Sequence, residues 1–174
     1  MSSQLKQKEK KVTFYIDDKE VTTNANETLW KIAKKHNKNI PHLCLKDSDN
    51  YRPDGNCRAC MVEIQGEKNL SASCIRYPTE GMKVKTCGAR VEKNRKLIFE
   101  LLASDMPLKE NCPDPSSHFW KQYELIGLDL NYRLPASRPG AQSEIPIKSI
   151  LNDISHPSIA VNLDACISCG LCER

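Results

Sequence analysis

Four cysteines, Cys44, Cys57, Cys60 and Cys74, constrain this chain more than any other residues. They read C-x12-C-x2-C-x13-C, with the middle pair inside Gly55-Asn56-Cys57-Arg58-Ala59-Cys60-Met61-Val62-Glu63-Ile64. A fold that uses them together must bring a tight turn and two distant segments to one place. Four thiolates are the ligand set of a two-iron, two-sulfide cluster. They are equally the ligand set of a structural zinc ion. Zinc ribbons usually carry two CxxC pairs, whereas this set has one. Spacing alone leaves iron–sulfur, zinc and unliganded thiols open. Gly55 and the small Ala59 and Ser73 would let backbone approach the sulfurs, and N–H groups aimed at them would stabilise an anionic site.

The chain has nine cysteines, an odd number that cannot all pair within it, and a net charge of +4. No apolar run follows the charged start at residues 1–11, so no signal peptide is expected. No run is long enough to cross a membrane. A reducing, cytoplasmic setting is the simplest expectation, and clustered cysteines there point to metal rather than disulfides. The Lys6 to Lys11 cluster reads as a flexible basic tail. No aromatic platform accompanies it, so no nucleic-acid partner is expected.

Residues 12–16 alternate and are rich in strand formers, 17–19 form a turn and 20–23 resume a strand, which is a hairpin. Asn24 or Asn26 offers an N-cap for a short helix carrying Leu29, Ile32 and Ala33, with Trp30 in the core. From 37 to 60 regular patterning stops, and this long loop carries three of the four cysteines. Strands are expected at 61–64, 70–73 and 82–86. A helix of about twelve residues follows, defined by Val91, Leu97, Ile98, Leu101 and Leu102 and ending near Ser104. The order is that of an α+β unit. Beyond it prolines accumulate, at 107, 113, 115, 135, 139, 146 and 157. An irregular connector with one helix, about 118 to 127 and carrying Phe119, Tyr123 and Ile126 on one face, is expected there.

Pro41-His42-Leu43-Cys44, the Gly55 to Ile64 segment, Ser71-Ala72-Ser73-Cys74 and Gly81-Met82-Lys83-Val84 resemble the [2Fe–2S] ferredoxin-type domain of the large iron–sulfur subunit of NADH:quinone oxidoreductase. The same module opens related hydrogenase and formate dehydrogenase subunits. The resemblance covers 12–103 and implies a β-grasp fold, with Cys44, Cys57, Cys60 and Cys74 as cluster ligands. The plant-type ferredoxin spacing does not fit. Phe119-Trp120, Tyr132-Arg133-Leu134-Pro135-Ala136 and the segment from Ser155 to Cys166 resemble more narrowly the N-terminal part of the alpha subunit of NAD-dependent formate dehydrogenase. Arg58 and Arg90 lie near the cluster motifs, as contacts of the site or as solvated side chains.

Many relatives carry a His-x3-Cys-x2-Cys-x5-Cys site in the next segment. Here Met106 stands at the histidine position, and Cys112 and His118 are too few to build that site. Residues 104–157 are therefore expected to be a connector without a cluster. His156 is expected to cap or pack, and Cys87 and Cys112 to be ordinary or buried thiols.

Residues 158–174 contain Cys166-x2-Cys169-x2-Cys172, the beginning of the run that binds four-iron clusters. Its fourth cysteine would fall two residues past Arg174. The expectation is the N-terminal piece of a longer polypeptide, in which a [4Fe–4S] cluster would be completed. No credible acid, base, nucleophile, P-loop or GxGxxG is present. The sequence thus points to one-electron transfer through a [2Fe–2S] cluster within a multi-cluster, NAD-linked oxidoreductase. An NAD- or flavin-binding redox protein and a C-terminal catalytic region would be the partners. A free-standing ferredoxin-like carrier and a zinc-stabilised interaction module are the alternatives.

Overall fold

A computed structural model describes residues 11–48, 51–129 and 152–172. The basic tail up to residue 10, Pro135, Pro139, Pro146 and the Tyr132 to Ala136 motif lie outside them, as does the side chain of His156.

Alternation in the first hairpin sets the core. Strand β1, Lys11–Ile16, buries Val12, Phe14 and Ile16 and turns its other side chains outward. Strand β2, Lys19–Asn24, pairs with it antiparallel, joined by Asp17 and Asp18, both at positive φ. Helix α1, Leu29–Lys35, lays Leu29, Trp30, Ile32 and Ala33 on the sheet. Its N-cap is Thr28, whose Oγ1 accepts the Lys31 N–H at 3.4 Å, and not Asn24 or Asn26. Asn24 is instead the last residue of β2, held in register opposite Lys11.

Strands β3, Met61–Ile64, β4, Ser71–Ala72, and β5, Lys83–Lys85, complete a five-stranded sheet in the order β2-β1-β5-β3-β4. The central β1–β5 pair is parallel and the others are antiparallel. A mixed sheet crossed by one helix in this order is the ferredoxin-like β-grasp fold.

Helix α2, Ala89–Ser104, is about a turn longer than its periodicity implied and packs against β3. Its buried stripe is Val91, Arg95, Phe99 and Ala103. Leu97 and Leu101, two of the residues whose spacing marked the helix, are 46% and 49% exposed. The helix carries apolar residues on more than one side, so periodicity located the helix but not its buried face.

The stretch expected to be mostly irregular has local structure. A 3-10 turn, Lys109–Asn111, leads to helix α3, His118–Leu125. Phe119, Trp120 and Tyr123 form a second core with Phe99, Ala103, Met106 and Cys112. Strands β6, Asn152–His156, and β7, Ile159–Asn162, form an unforeseen antiparallel hairpin around Pro157 and Ser158.

Candidate metal centre

Helix α1 anchors the loops that carry the cysteines. Its first two N–H groups, which no helical carbonyl can satisfy, donate outward: Leu29 to the Arg76 carbonyl at 2.8 Å and Trp30 to the Ser73 carbonyl at 3.0 Å. Those carbonyls flank Cys74. The Trp30 Nε1–H donates to the Ile40 carbonyl at 3.0 Å and pins the start of the loop leading to Cys44. Cys57 and Cys60 occupy the turn that runs directly into β3, and Cys74 follows β4.

The fold brings all four together. Their thiols form a hydrogen-bonded chain in the order Cys57, Cys44, Cys74, Cys60. Cys44, Cys60 and Cys74 are buried and Cys57 is half-buried. Hydrogen bonds from Cys57 and Cys74 hold the Cys44 thiol far below its ordinary pKa, and a bond from Cys74 lowers Cys60. Cys57 and Cys74, as the donors, are pushed up. Hydrogen bonding within the set thus favours charge on Cys44 and Cys60 and a proton on Cys57 and Cys74. The four thiols share one site, yet among the described residues no three His, Cys, Asp or Glu side chains are spaced as they would be around a single metal ion.

Backbone donors add to the charge that Cys44 and Cys60 can carry. Cys44 N–H points at the Cys57 sulfur, 3.4 Å away. The Gly55 and Cys57 N–H groups favour negative charge on Cys44, that of Ala59 on Cys57 and that of Cys74 on Cys60. Arg58 at φ 57° turns the Ala59 N–H inward and leaves its own side chain exposed. Gly55, at φ 68°, has no room for a β-carbon, which would sit 2.7 Å from Ile75 Cδ1. Neutral thiols need no such array, whereas ligating thiolates do. Four soft donors inside a nest of N–H groups fit a [2Fe–2S] cluster.

Other residues singled out by the sequence serve the scaffold. Arg90 pairs with Glu63 at 3.2 Å and donates to the Lys68 carbonyl, tying α2 to the β3–β4 connection. Cys112 is buried, accepts the Trp120 Nε1–H at 3.3 Å and lies 3.6 Å from the Pro107 carbonyl. Met106 is core, and Cys87 is exposed. The His118 ring lies 2.7 Å from the His42 carbonyl and against the His42 ring, so α3 closes over the cysteine loop.

Cys166 and Cys169 are half-buried and Cys172 is exposed. Ser168, at φ 52°, sets its N–H 3.4 Å from the Cys166 sulfur. Both CxxC turns thus direct the N–H two residues after the first cysteine at its sulfur. Ile167 packs on the second core, as does Cys57.

Residues 9–88 match the family model described as a 2Fe-2S iron-sulfur cluster binding domain, and all four cysteines fall within them. Residues 9–88 are a [2Fe–2S] cluster binding domain. The same domain is shared with NADH-quinone oxidoreductase and NAD-reducing hydrogenase subunits. The chain is 31% identical over 165 residues to HndD, an NADP-reducing hydrogenase subunit of Solidesulfovibrio fructosivorans, covering 93% of this chain and 27% of that protein. It is 28% identical over 160 residues to the gamma subunit of the NAD-reducing hydrogenase HoxS of Cupriavidus necator, covering 90% and 62%. With the mitochondrial NADH-ubiquinone oxidoreductase 78 kDa subunit of Candida albicans it shares 26% over 161 residues, covering 91% and 21%. The chain therefore spans between about a fifth and three fifths of these relatives' lengths. A crystal structure of an NAD+-reducing [NiFe]-hydrogenase in the H2-reduced state superposes with a TM-score of 0.66 at 22% identity, over 92% of this chain and 64% of that one, and shares the fold. The [2Fe–2S] domain match ends before α2, so helix and second core extend beyond it. Among the described residues no helix is long and apolar enough to cross a membrane.

One charged residue escaped sequence reasoning. Arg95 occupies the buried stripe of α2, at i+4 from Val91 and i−4 from Phe99. The spacing was legible, but nothing in it marked that face of the helix as the buried one.

Proposed function

We propose that Cys44, Cys57, Cys60 and Cys74 ligate the [2Fe–2S] cluster and that the chain relays single electrons in a multi-cluster, NAD-linked oxidoreductase. The carrying observation is the convergence of four thiols within one nest of backbone N–H donors. When bound, the cluster supplies one-electron oxidation and reduction. The residues fix its position, exclude water with Leu43, Ala59 and α3, and aim N–H dipoles at the sulfurs.

The relatives' names, NADP- and NAD-reducing hydrogenase subunits, support a redox partner that handles the nicotinamide cofactor, itself or through a flavin; the cytoplasmic setting rests on the clustered cysteines. Within that class we favour an N-terminal segment similar to the alpha subunit of formate dehydrogenase, on the Phe119-Trp120 and Ser155 to Cys166 motifs. We divide the chain into a tail at 1–11, the [2Fe–2S] domain at 12–103, a connector at 104–157 and the start of a [4Fe–4S] motif at 158–174. Cys166, Cys169 and Cys172 would hold that second cluster with a fourth ligand from outside these residues.

Iron and acid-labile sulfide analysis, joined to EPR on reduction, tests the reading. The expected result is two irons and two sulfides per [2Fe–2S] domain and a signal that appears on reduction. Stoichiometric zinc without sulfide would overturn it.

A further inference from the structure

We propose that Arg95 is the internal counter-charge of the cluster site and that its guanidinium raises the reduction potential of the cluster. This rests on the ligation by Cys44, Cys57, Cys60 and Cys74 proposed above.

Arg95 is only 7% exposed, although it is a charged residue in the middle of an amphipathic helix. A buried charge is costly unless paired and hydrogen-bonded. Its Nη2–H donates to the Met61 carbonyl at 2.8 Å, while its Nε–H is buried with no hydrogen-bond partner. Among the described residues no carboxylate forms an ion pair with it. Arg90, little more than one turn earlier, has such a partner in Glu63 and is half-exposed. The difference leaves Arg95 as a buried cation in search of an anion.

The anion is next to its hydrogen-bond acceptor. Met61 follows Cys60, and α2 packs against β3 at this point. Burial disfavours the charged guanidinium. Among charged groups that oppose this, Cys60 acts most strongly, ahead of Cys87, Glu92 and Asp17. Arginine keeps its proton even so. A fixed positive charge therefore stands behind one ligand of a site that carries several thiolates.

The consequence follows from charge alone. Reduction adds one electron to the site, breaks no bond and requires no proton. The added negative charge is stabilised by a nearby cation, more strongly inside the protein than in water. Because both groups are buried, salt screens the interaction little. Net charge and hydrogen bonding at the sulfurs are what set such potentials.

Two conservative variants of the full chain separate this role from that of a strut between α2 and β3. Arg95→Gln keeps an N–H donor for Met61 and loses the charge. Arg95→Lys keeps the charge and loses the planar fork. Each, with the unmodified chain, is loaded with iron and sulfide, analysed for both, and titrated with dithionite while the EPR signal is followed. The expected result is full cluster content in all three. Arg95→Gln should show a roughly tenfold lower equilibrium constant for reduction, read as a potential about 59 mV more negative. Arg95→Lys should stay near the unmodified value, and the gap should persist in high salt.

Equal potentials in all three would overturn the proposal while leaving the ligand assignment standing. So would equal shifts in both variants, or loss of the cluster from both, which would mark Arg95 as a strut. An unmodified chain that binds no cluster would sink the ligand assignment and this proposal with it.

Discussion

The Ser73 hydroxyl donates to the Cys60 carbonyl at 2.7 Å, and the Ser73 N–H donates to the same oxygen at 3.1 Å. Two segments that each carry a cysteine are thereby clamped together, and the Ser73 carbonyl in turn accepts the Trp30 N–H from α1. Position 73 is fully buried, so the clamp works without competition from water. Ser73→Ala removes one donor and leaves the other. The expected cost is about 1 kcal/mol of unfolding free energy, measured by chemical denaturation. The reduced EPR signal should change shape at unchanged iron content, because the same hydroxyl also favours negative charge on Cys60.

Removing a ligand should do more than reshape the signal. Cys57→Ser replaces a soft donor in the turn where both middle sulfurs are held. The [2Fe–2S] signal should disappear or alter strongly, with iron and sulfide falling together. An unaltered signal would show that Cys57 is not a ligand.

Gly55 combines a left-handed backbone with a packed neighbour. Gly55→Ala puts a β-carbon 2.7 Å from Ile75 Cδ1 at φ 68°. The backbone conformation alone costs about 1–2 kcal/mol for a residue with a side chain. Its N–H, which favours negative charge on Cys44, would be displaced. Lower thermal stability and faster loss of iron to a chelator are expected, the second read from the decay of visible absorption.

Asp17 sits in the first hairpin turn and grips the end of β5. Its carboxylate accepts the Thr86 N–H and Oγ1–H, each at 2.7 Å, and pairs with Lys38 at 2.8 Å. Burial pushes the carboxyl pKa up, but these bonds outweigh it and the value lies below its ordinary 3.8. A lowered folded pKa means stability that is present above the unfolded value and lost as pH falls through the folded one. Thr86→Val should therefore cost about 1.5 kcal/mol at pH 7 and progressively less below the ordinary carboxylate range. Parallel denaturation series at the two pH values check this. A cost independent of pH would mean that the carboxylate charge is not involved.

The second core covers the cysteine loop. Phe119 stacks on Phe99 with ring centroids 5.6 Å apart and belongs to the same cluster as Leu43 and Ala59. Phe119→Ala should destabilise the chain by about 3–5 kcal/mol and speed loss of iron to a chelator. If only stability falls, α3 does not protect the site.

Particular residues show how far sequence could reach. Val12, Phe14 and Ile16 alternate, and their strand and its buried face were legible from that period alone. Leu29, Ile32 and Ala33 revealed α1 in the same way. Leu97 and Leu101 misled, because α2 is apolar on more than one side and only packing against β3 selects which side is buried. The hairpin at 152–162 went unread because Pro157 and the polar residues Asn152, Asp153 and Ser155 weaken its strand pattern, while cross-strand pairing makes good the loss. Thr28 rather than Asn24 caps α1 because the β1–β2 register had already claimed Asn24.

By itself the sequence determined the donor set. Four cysteines, the tight CxxC turn, Gly55 and the small Ala59 and Ser73 follow from residue type and spacing, which are local. Only the tertiary structure decided that the four sulfurs meet, that α1 holds the loops on both sides of Cys74, and that a buried arginine stands behind Cys60. Those facts depend on contacts between segments far apart in the chain. Their energies come from packing and desolvation, which residue order does not display until the chain is folded.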